Sequence, residues 1–100
     1  MKTADDYLHQ AAAEMADRAA SRDTPTGERS MARAVRAWWA IYGDAVVQRG
    51  HVTETEGWQF MSILKKVRGA QGEYREDDHT DDVAYSALAA ESAAREVERE

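Results

Sequence analysis

The residues whose chemistry stands out lie in the stretch REDDHTDDVAYSAL, residues 75–88, which holds five carboxylates among its first eight residues. Asp77, Asp81 and Tyr85 follow one another at four-residue intervals and share a helical face with Leu88. We expect this face to be buried, and a buried carboxylate needs a cation to offset its desolvation. Asp77 and Asp81 are therefore a candidate site for Mg²⁺, which would need further oxygen ligands.

The two remaining aspartates of the stretch, Asp78 and Asp82, are expected to rotate away toward solvent. Acids in a first helical turn are favoured by the amide dipoles, by about 0.3–1 kcal/mol each. A purely structural interpretation therefore stands beside the metal-site hypothesis. In it the acids start a helix, and Asp81 pairs with Lys65 or Arg68 of the preceding helix.

A second candidate group lies on that preceding helix, opposite its apolar stripe. Trp58, Met61, Lys65 and Arg68 form a row of one aromatic, one thioether and two cationic side chains. Such a row suits a nucleotide, because a base can stack on an indole and phosphates can pair with Lys and with the fork of Arg. The competing interpretation is a packing surface or subunit interface, over which the Lys and Arg stems extend.

An all-α fold is predicted, because Gly and Pro are scarce and no segment alternates apolar and polar residues. The sequence TETE at residues 53–56 is a capping box that starts one helix, and Gly43 is expected to stop the helix before it. The predicted single domain, residues 1–100, holds about four helices, at residues 4–20, 28–42, 53–70 and from Asp77 or Asp78 into a charged end at 92–100.

The predicted core follows the helical period on the two central helices. Its expected members are Met31, Val35, Trp38 and Tyr42, with Trp39 widening the face, and then Phe60, Ile63, Leu64 and Val67. Of the 43% of residues that are apolar, 19 are alanine, so bulky apolar side chains are few. A monomer would have a thin core, and we expect a homo-oligomer or close helix packing through alanine.

Charge and composition exclude several classes of function. A net charge of −6 argues against non-specific nucleic-acid binding, and the absence of cysteine excludes disulfides and thiolate metal sites. There is no apolar run of about 18 residues and no signal sequence, so we expect a cytoplasmic protein without membrane contact.

Three segments carry a resemblance to a known family: DTPTGERSMARAV, TEGWQFMSILKKVR and EDDHTDDVAYSALAAE. Their order resembles an uncharacterised family of small phage and prophage proteins, with GERS, L-L-K-x-x-R and D-x-x-x-D-x-x-x-Y-x-x-L motifs. The resemblance covers residues 23–91. At a greater distance this pattern is similar to nucleotide-modification-associated domains and to the all-α MazG-like pyrophosphatases.

The resemblance implies nucleotide binding in a host cytoplasm. Lys65 and Arg68 would hold phosphates, Asp77 and Asp81 would hold Mg²⁺ or the ribose, and Tyr85 would orient an acid or stack. MazG-like enzymes bind Mg²⁺ through an E-x-x-E pair on one helix and an E-x-x-D pair on another. No E-x-x-E falls at the expected earlier place in this chain, and the acids of residues 77–81 are spaced four apart, so catalysis stays open.

The alternative hypothesis is a non-enzymatic phage accessory or anti-defence protein. Such a protein would act by binding a host protein through its acidic surface or by sequestering a nucleotide.

Overall fold

A computed structural model describes residues 1–22 and 30–99 of the chain. Within these ranges the protein forms α1 (Ala4–Arg22), α2 (Ser30–Arg49), α3 (Glu54–Gly69) and α4 (Glu76–Arg99), and no strand. The predicted all-α class with four helices is confirmed. The predicted turn before α2, the GER of the GERS motif and the predicted helix start at Glu28 lie outside the described residues.

Antiparallel packing of α3 against α4 is the most extensive helix contact, and α2 packs on α3. The predicted capping box starts α3: the Thr53 hydroxyl accepts from the Glu56 amide at 3.2 Å, and Oε1 of Glu56 accepts from the Thr53 amide at 2.9 Å. These two bonds satisfy amides that a helix start leaves unpaired. Gly72, with a φ of 68°, lies in the turn that leads from α3 to α4.

The prediction that α2 stops at Gly43 is wrong, because α2 continues to Arg49 and is followed by Gly50 with a φ of 91°. Gly43 is buried inside the helix, under the indole of Trp39. A Cβ at Gly43 would lie 2.9 Å from Cε2 of Trp39. This glycine therefore makes room for a side chain one turn earlier, and it does not end the helix.

The apolar core lies between α2 and α3. Its buried members are Ala34, Trp38, Ile63 and Leu64, with Tyr42, Val46, Phe60 and Val67 among the partly buried side chains around them. The predicted stripe of α3 is therefore confirmed, and so are the positions of Trp38 and Tyr42. Met31 and Val35 are exposed instead, since they lie on the side of α2 that α3 does not cover.

The predicted orientation of α4 is correct for Asp81 and Tyr85, which contact α3, and wrong for the other four residues assigned to a face. Asp78 is buried and Asp82 is half-buried, whereas Asp77 and Leu88 are exposed. The reason is that α4 meets α3 through small and polar side chains, including buried Ala89 and Ser92. Close approach and hydrogen bonding fix this helix pair, so the bulkiest apolar residue of α4 does not mark its inner face.

Every side chain of α1 that the structure describes is exposed, including the apolar Tyr7, Leu8 and Met15. The radius of gyration is 16.4 Å, compared with about 13 Å for a compact domain of 100 residues.

Within the described ranges, no helix combines the length and apolarity needed to span a membrane.

Candidate ligand groove between α3 and α4

Two consecutive lysines of α3 face two consecutive aspartates of α4. Nζ of Lys65 lies 3.1 Å from Oδ2 of Asp81, and Nζ of Lys66 lies 2.7 Å from Oδ2 of Asp82. Because α3 and α4 are antiparallel, both ion pairs lie side by side at the same height along the two helix axes. Of the two cations named as possible partners for Asp81, Lys65 makes the contact, whereas the Lys66–Asp82 pair was not predicted.

Asp82 is the centre of a hydrogen-bond network that we call the Asp82 cluster, formed by Ser62, Lys66, Asp82 and Ser86. The Ser62 hydroxyl donates to Oδ1 of Asp82. Nζ of Lys66 donates to the Ser62 hydroxyl at 3.0 Å and to both Asp82 oxygens. Burial raises the pKa of Asp82, but the hydrogen bonds from Lys66 and Ser62 outweigh it and hold this pKa below its ordinary value.

A groove of about 270 Å³ opens beside this cluster, between the end of α3 and the start of α4. Its lining is Lys65, Lys66, Gly69, Ala70, Asp78, His79 and Asp82. The His79 ring, on the first turn of α4, stacks on Tyr74 with centroids 5.7 Å apart. The groove thus combines two ammonium groups, a helix start and two carboxylates. The ammonium groups and the helix start suit an anionic ligand, and the carboxylates suit hydrogen-bond donors or a cation carried by that ligand.

Trp58 and Tyr85 lie on the same pair of helices. Their rings stack with centroids 6.0 Å apart at 20°, and Nε1 of Trp58 donates to Oε2 of Glu54 at 3.1 Å. The indole therefore packs within the chain, against α4. This contact is what the packing interpretation predicted for Trp58, and it leaves ligand binding by either ring untested.

The remaining predicted site residues lie apart from the groove lining. Asp77 is exposed at the start of α4, and Arg68 is half-buried near the end of α3. Among the described residues, no group of three or more His, Cys, Asp or Glu side chains is placed to hold a metal ion. The Mg²⁺ site at Asp77 and Asp81 stays a prediction.

The sequence reasoning missed Ser62, Lys66, Asp78, His79 and Asp82. A signal for several of them was present in the spacing of small polar residues. Ser62 stands inside the apolar stripe of α3, and Asp78, Asp82, Ser86 and Ser92 recur along α4 at helical intervals. Small hydroxyls on facing helices indicate close polar packing, which apolar periodicity alone cannot detect.

A second polar group, the Glu56 cluster, lies at the other end of α3 and consists of Arg49, Thr53 and Glu56. Nη1 and Nη2 of Arg49 donate to the two Glu56 oxygens, each at 2.8 Å. These bonds and the one from the Thr53 amide overcome the effect of burial and lower the pKa of Glu56 from 4.5 to about 2. Nε1 of Trp38 donates to the Glu56 carbonyl at 2.8 Å, which ties α2 to this helix start.

Comparison with protein families, with curated proteins and with solved structures gives no match to the chain.

Proposed function

We propose that the protein binds a nucleotide, or another ligand carrying phosphate groups, in the α3–α4 groove. The observation that carries the proposal is the pair of adjacent lysines, Lys65 and Lys66, which line a groove beside the first turn of α4. Lysine ammonium groups and the amide dipoles of a helix start both favour phosphate oxygens.

The two lysines can exchange partners at the groove. The Lys66 side chain is 59% exposed and Asp81 is 45% exposed, whereas Lys65 is 17% exposed. Exposed ion pairs contribute only about 0–1 kcal/mol to stability. A phosphate group can therefore replace a carboxylate as an acceptor most readily at Lys66, the more exposed of the two ammonium groups.

The size of the groove indicates which part of a ligand it takes. Its 270 Å³ lies just under the range of ordinary small-molecule sites, about 300–1,000 Å³. It fits one or two phosphate groups, and the rest of a nucleotide would extend over the rim. His79 lines the groove and its ring stacks on Tyr74, so the exposed Tyr74 ring offers a flat surface on which a base could stack.

Isothermal titration with inorganic pyrophosphate and with a panel of ribo- and deoxyribonucleoside triphosphates tests this proposal. The double variant Lys65→Gln/Lys66→Gln is expected to weaken binding at least tenfold, since it removes both cations. Lys2→Gln is the matched control, because Lys2 is the chain's remaining lysine and lies outside the groove. No measurable binding of any of these ligands, or an equal loss in the Lys2 control, would contradict the proposal.

Metal dependence and turnover are separate questions in the same experiment. Asp81 already contacts Lys65 and Asp77 is exposed. Repeating each titration with Mg²⁺, and with Asp77→Asn/Asp81→Asn, shows whether these carboxylates contribute through a metal ion. Release of phosphate or pyrophosphate from a triphosphate would make the protein an enzyme, whereas binding without release leaves it a binding protein.

A non-enzymatic accessory role is the second candidate, in a phage setting an anti-defence role. It is favoured by the exposed acids Glu73, Glu76 and Asp77 around the start of α4, which suit a basic partner surface. Charge reversal at Glu76 and Asp77 would test it, because Asp78 is buried and Asp82 is hydrogen-bonded within the fold. Loss of a stoichiometric basic partner in Glu76→Lys/Asp77→Lys, with pyrophosphate binding retained, would favour this role.

A further inference from the structure

An apolar ridge runs along the side of α2 that no other described helix covers. Met31, Val35, Trp39, Gly43 and Val47 follow one another at four-residue intervals. The four with large side chains are 49%, 47%, 51% and 70% exposed, respectively. Rows of this spacing are the ridges through which helices most commonly pack on one another, so α2 is shaped to receive another helix.

The first helix, α1, has an apolar stripe and nothing within the described part of the chain to pack against. Leu8 and Met15 lie on one face with Ala4, Ala11 and Ala12, and all five are exposed. In proteins most of the stability of a helix comes from packing its apolar face rather than from helix propensity, and the 19-residue α1 has no such packing among the described residues. A stable α1 therefore needs an apolar surface, and α2 presents one of matching type.

The charges of the two helices are complementary. The acids of α1 outnumber its arginines, whereas the arginines of α2 outnumber its single acid. On α1 the acids are Asp5, Asp6, Glu14 and Asp17, and the arginines are Arg18 and Arg22. On α2 the arginines are Arg33, Arg36 and Arg49, and the acid is Asp44. Contact between α1 and α2 is thus favoured electrostatically, while contact between two copies of α2 brings like charges together.

We propose that α1 of one copy packs on the α2 ridge of a second copy, reciprocally, to form a homodimer. Both halves of the complementary surface belong to the same chain, and within one copy α1 makes no extensive contact with α2 and its described side chains are exposed. A second copy therefore supplies each missing half. Two reciprocal contacts also double the interface, toward the roughly 800 Å² per partner that stable complexes bury. This inference is independent of the proposed ligand.

Cysteine cross-linking tests the proposal directly, because the chain contains no native cysteine. Two differently tagged chains are co-expressed, one carrying Met15→Cys and the other Val35→Cys. A short bismaleimide is expected to join them into a species carrying both tags. Val83→Cys, on an exposed position of α4, replaces Val35→Cys as the control and is expected to give at least tenfold less product.

The competing arrangements give different results in the same assay. If α1 folds onto its own α2, a chain carrying both Met15→Cys and Val35→Cys cross-links internally and the two-tag product is absent. If two α2 ridges pair without α1, Val35→Cys joins to itself and Met15→Cys does not react with it. Either result would overturn the proposal.

Sedimentation velocity provides the second measurement. The full-length protein is expected to be a dimer at micromolar concentration, and Leu8→Glu/Met15→Glu is expected to be a monomer. Within one copy these two side chains are exposed, so the thermal unfolding of α2–α4 followed by circular dichroism should be retained. A monomeric wild-type protein, or a dimer that persists in the Glu variant, contradicts the proposal.

Discussion

The Glu56 cluster and the Asp82 cluster use the same kinds of groups at the two ends of α3, with different results. Both hold a carboxylate between a long cationic side chain and a second donor, which is the Thr53 amide at Glu56 and the Ser62 hydroxyl at Asp82. Glu56 is only 6% exposed and is held by both Nη atoms of Arg49 and by a backbone amide. Asp82 is held by the flexible, exposed Lys66 and by a serine hydroxyl.

The two clusters differ in whether the cation that holds the carboxylate can turn to another acceptor. A planar guanidinium and a fixed amide impose one geometry on Glu56, because neither donor can turn elsewhere without breaking a helix start. An ammonium group on a flexible stem can turn to another acceptor. A cavity borders each cluster, of about 270 Å³ at Asp82 and about 590 Å³ at Glu56, so the flexibility of the cation distinguishes the two clusters, and the room beside them does not.

The largest expected effect is the loss of stability in Glu56→Ala, about 1.5–3 kcal/mol, the range for hydrogen bonds to a charged group, because Arg49 is 32% exposed and keeps access to water. The variant leaves Arg49 and the Thr53 amide without the carboxylate that joins them. Urea unfolding followed by circular dichroism measures the loss. Glu98→Ala, at an exposed position of α4, should cost below about 0.5 kcal/mol. An equal loss in both variants would mean that the hydrogen bonds of Glu56 add no particular stability.

A smaller loss of stability is expected in Asp82→Asn, about 1–2 kcal/mol, because the amide keeps a bond to Ser62 while the charge attraction to Lys66 disappears. The effect on ligand binding has the opposite sign. Lys66 loses its anionic partner, so pyrophosphate should bind about fivefold more tightly, a change of roughly 1 kcal/mol. Weaker pyrophosphate binding in Asp82→Asn would mean that Asp82 belongs to the ligand site itself.

The pH dependence of stability provides a further test of the Glu56 cluster. The pKa of Glu56 is lowered from 4.5 to about 2 in the folded protein, so the unfolded chain binds this proton at a higher pH. The stabilisation is therefore complete above about pH 5 and is lost as the pH falls toward 2. Urea unfolding in Glu56→Gln should show a shallower acid slope, and an unchanged slope would assign the acid sensitivity to other carboxylates.

The smallest effect is expected for the ion pair of Glu91 and Arg95, one turn apart on the outer side of α4. Both side chains are at least half exposed, and pairs of this kind contribute about 0.3–0.5 kcal/mol. Arg95→Ala should change the free energy of unfolding by no more than this, at low salt, and should leave pyrophosphate binding unchanged. It provides the baseline against which both clusters are compared.

The parts of the fold that the sequence predicted correctly rest on local signals. The capping box depends on Thr53 and Glu56, three residues apart, and the apolar stripe of α3 depends on helical spacing alone. The Lys65–Asp81 contact followed from two adjacent helices and opposite charges.

The errors arose where tertiary contacts override local preference. Gly43 is a reasonable helix stop until the indole of Trp39 is placed over it. The orientation of α4 was inferred from Leu88 and Tyr85, whereas close packing through Ala89 and Ser92 decides it. Local sequence patterns carry no information on how closely two helices approach, so Asp78 and Asp82 were assigned to the wrong side.

The three tryptophans lie in three different surroundings, so the intrinsic fluorescence of each one reports on a different region of the protein. Trp38 is buried and donates to a carbonyl, Trp39 is half exposed on the α2 ridge, and Trp58 stacks on Tyr85 near the lysines of α3. Replacing any two of them by phenylalanine leaves a single fluorophore whose emission wavelength reports on one region alone. Unfolding of the core at Trp38, association of two copies at Trp39 and changes in the α3–α4 contact at Trp58 thereby become three separately observable signals in one small chain.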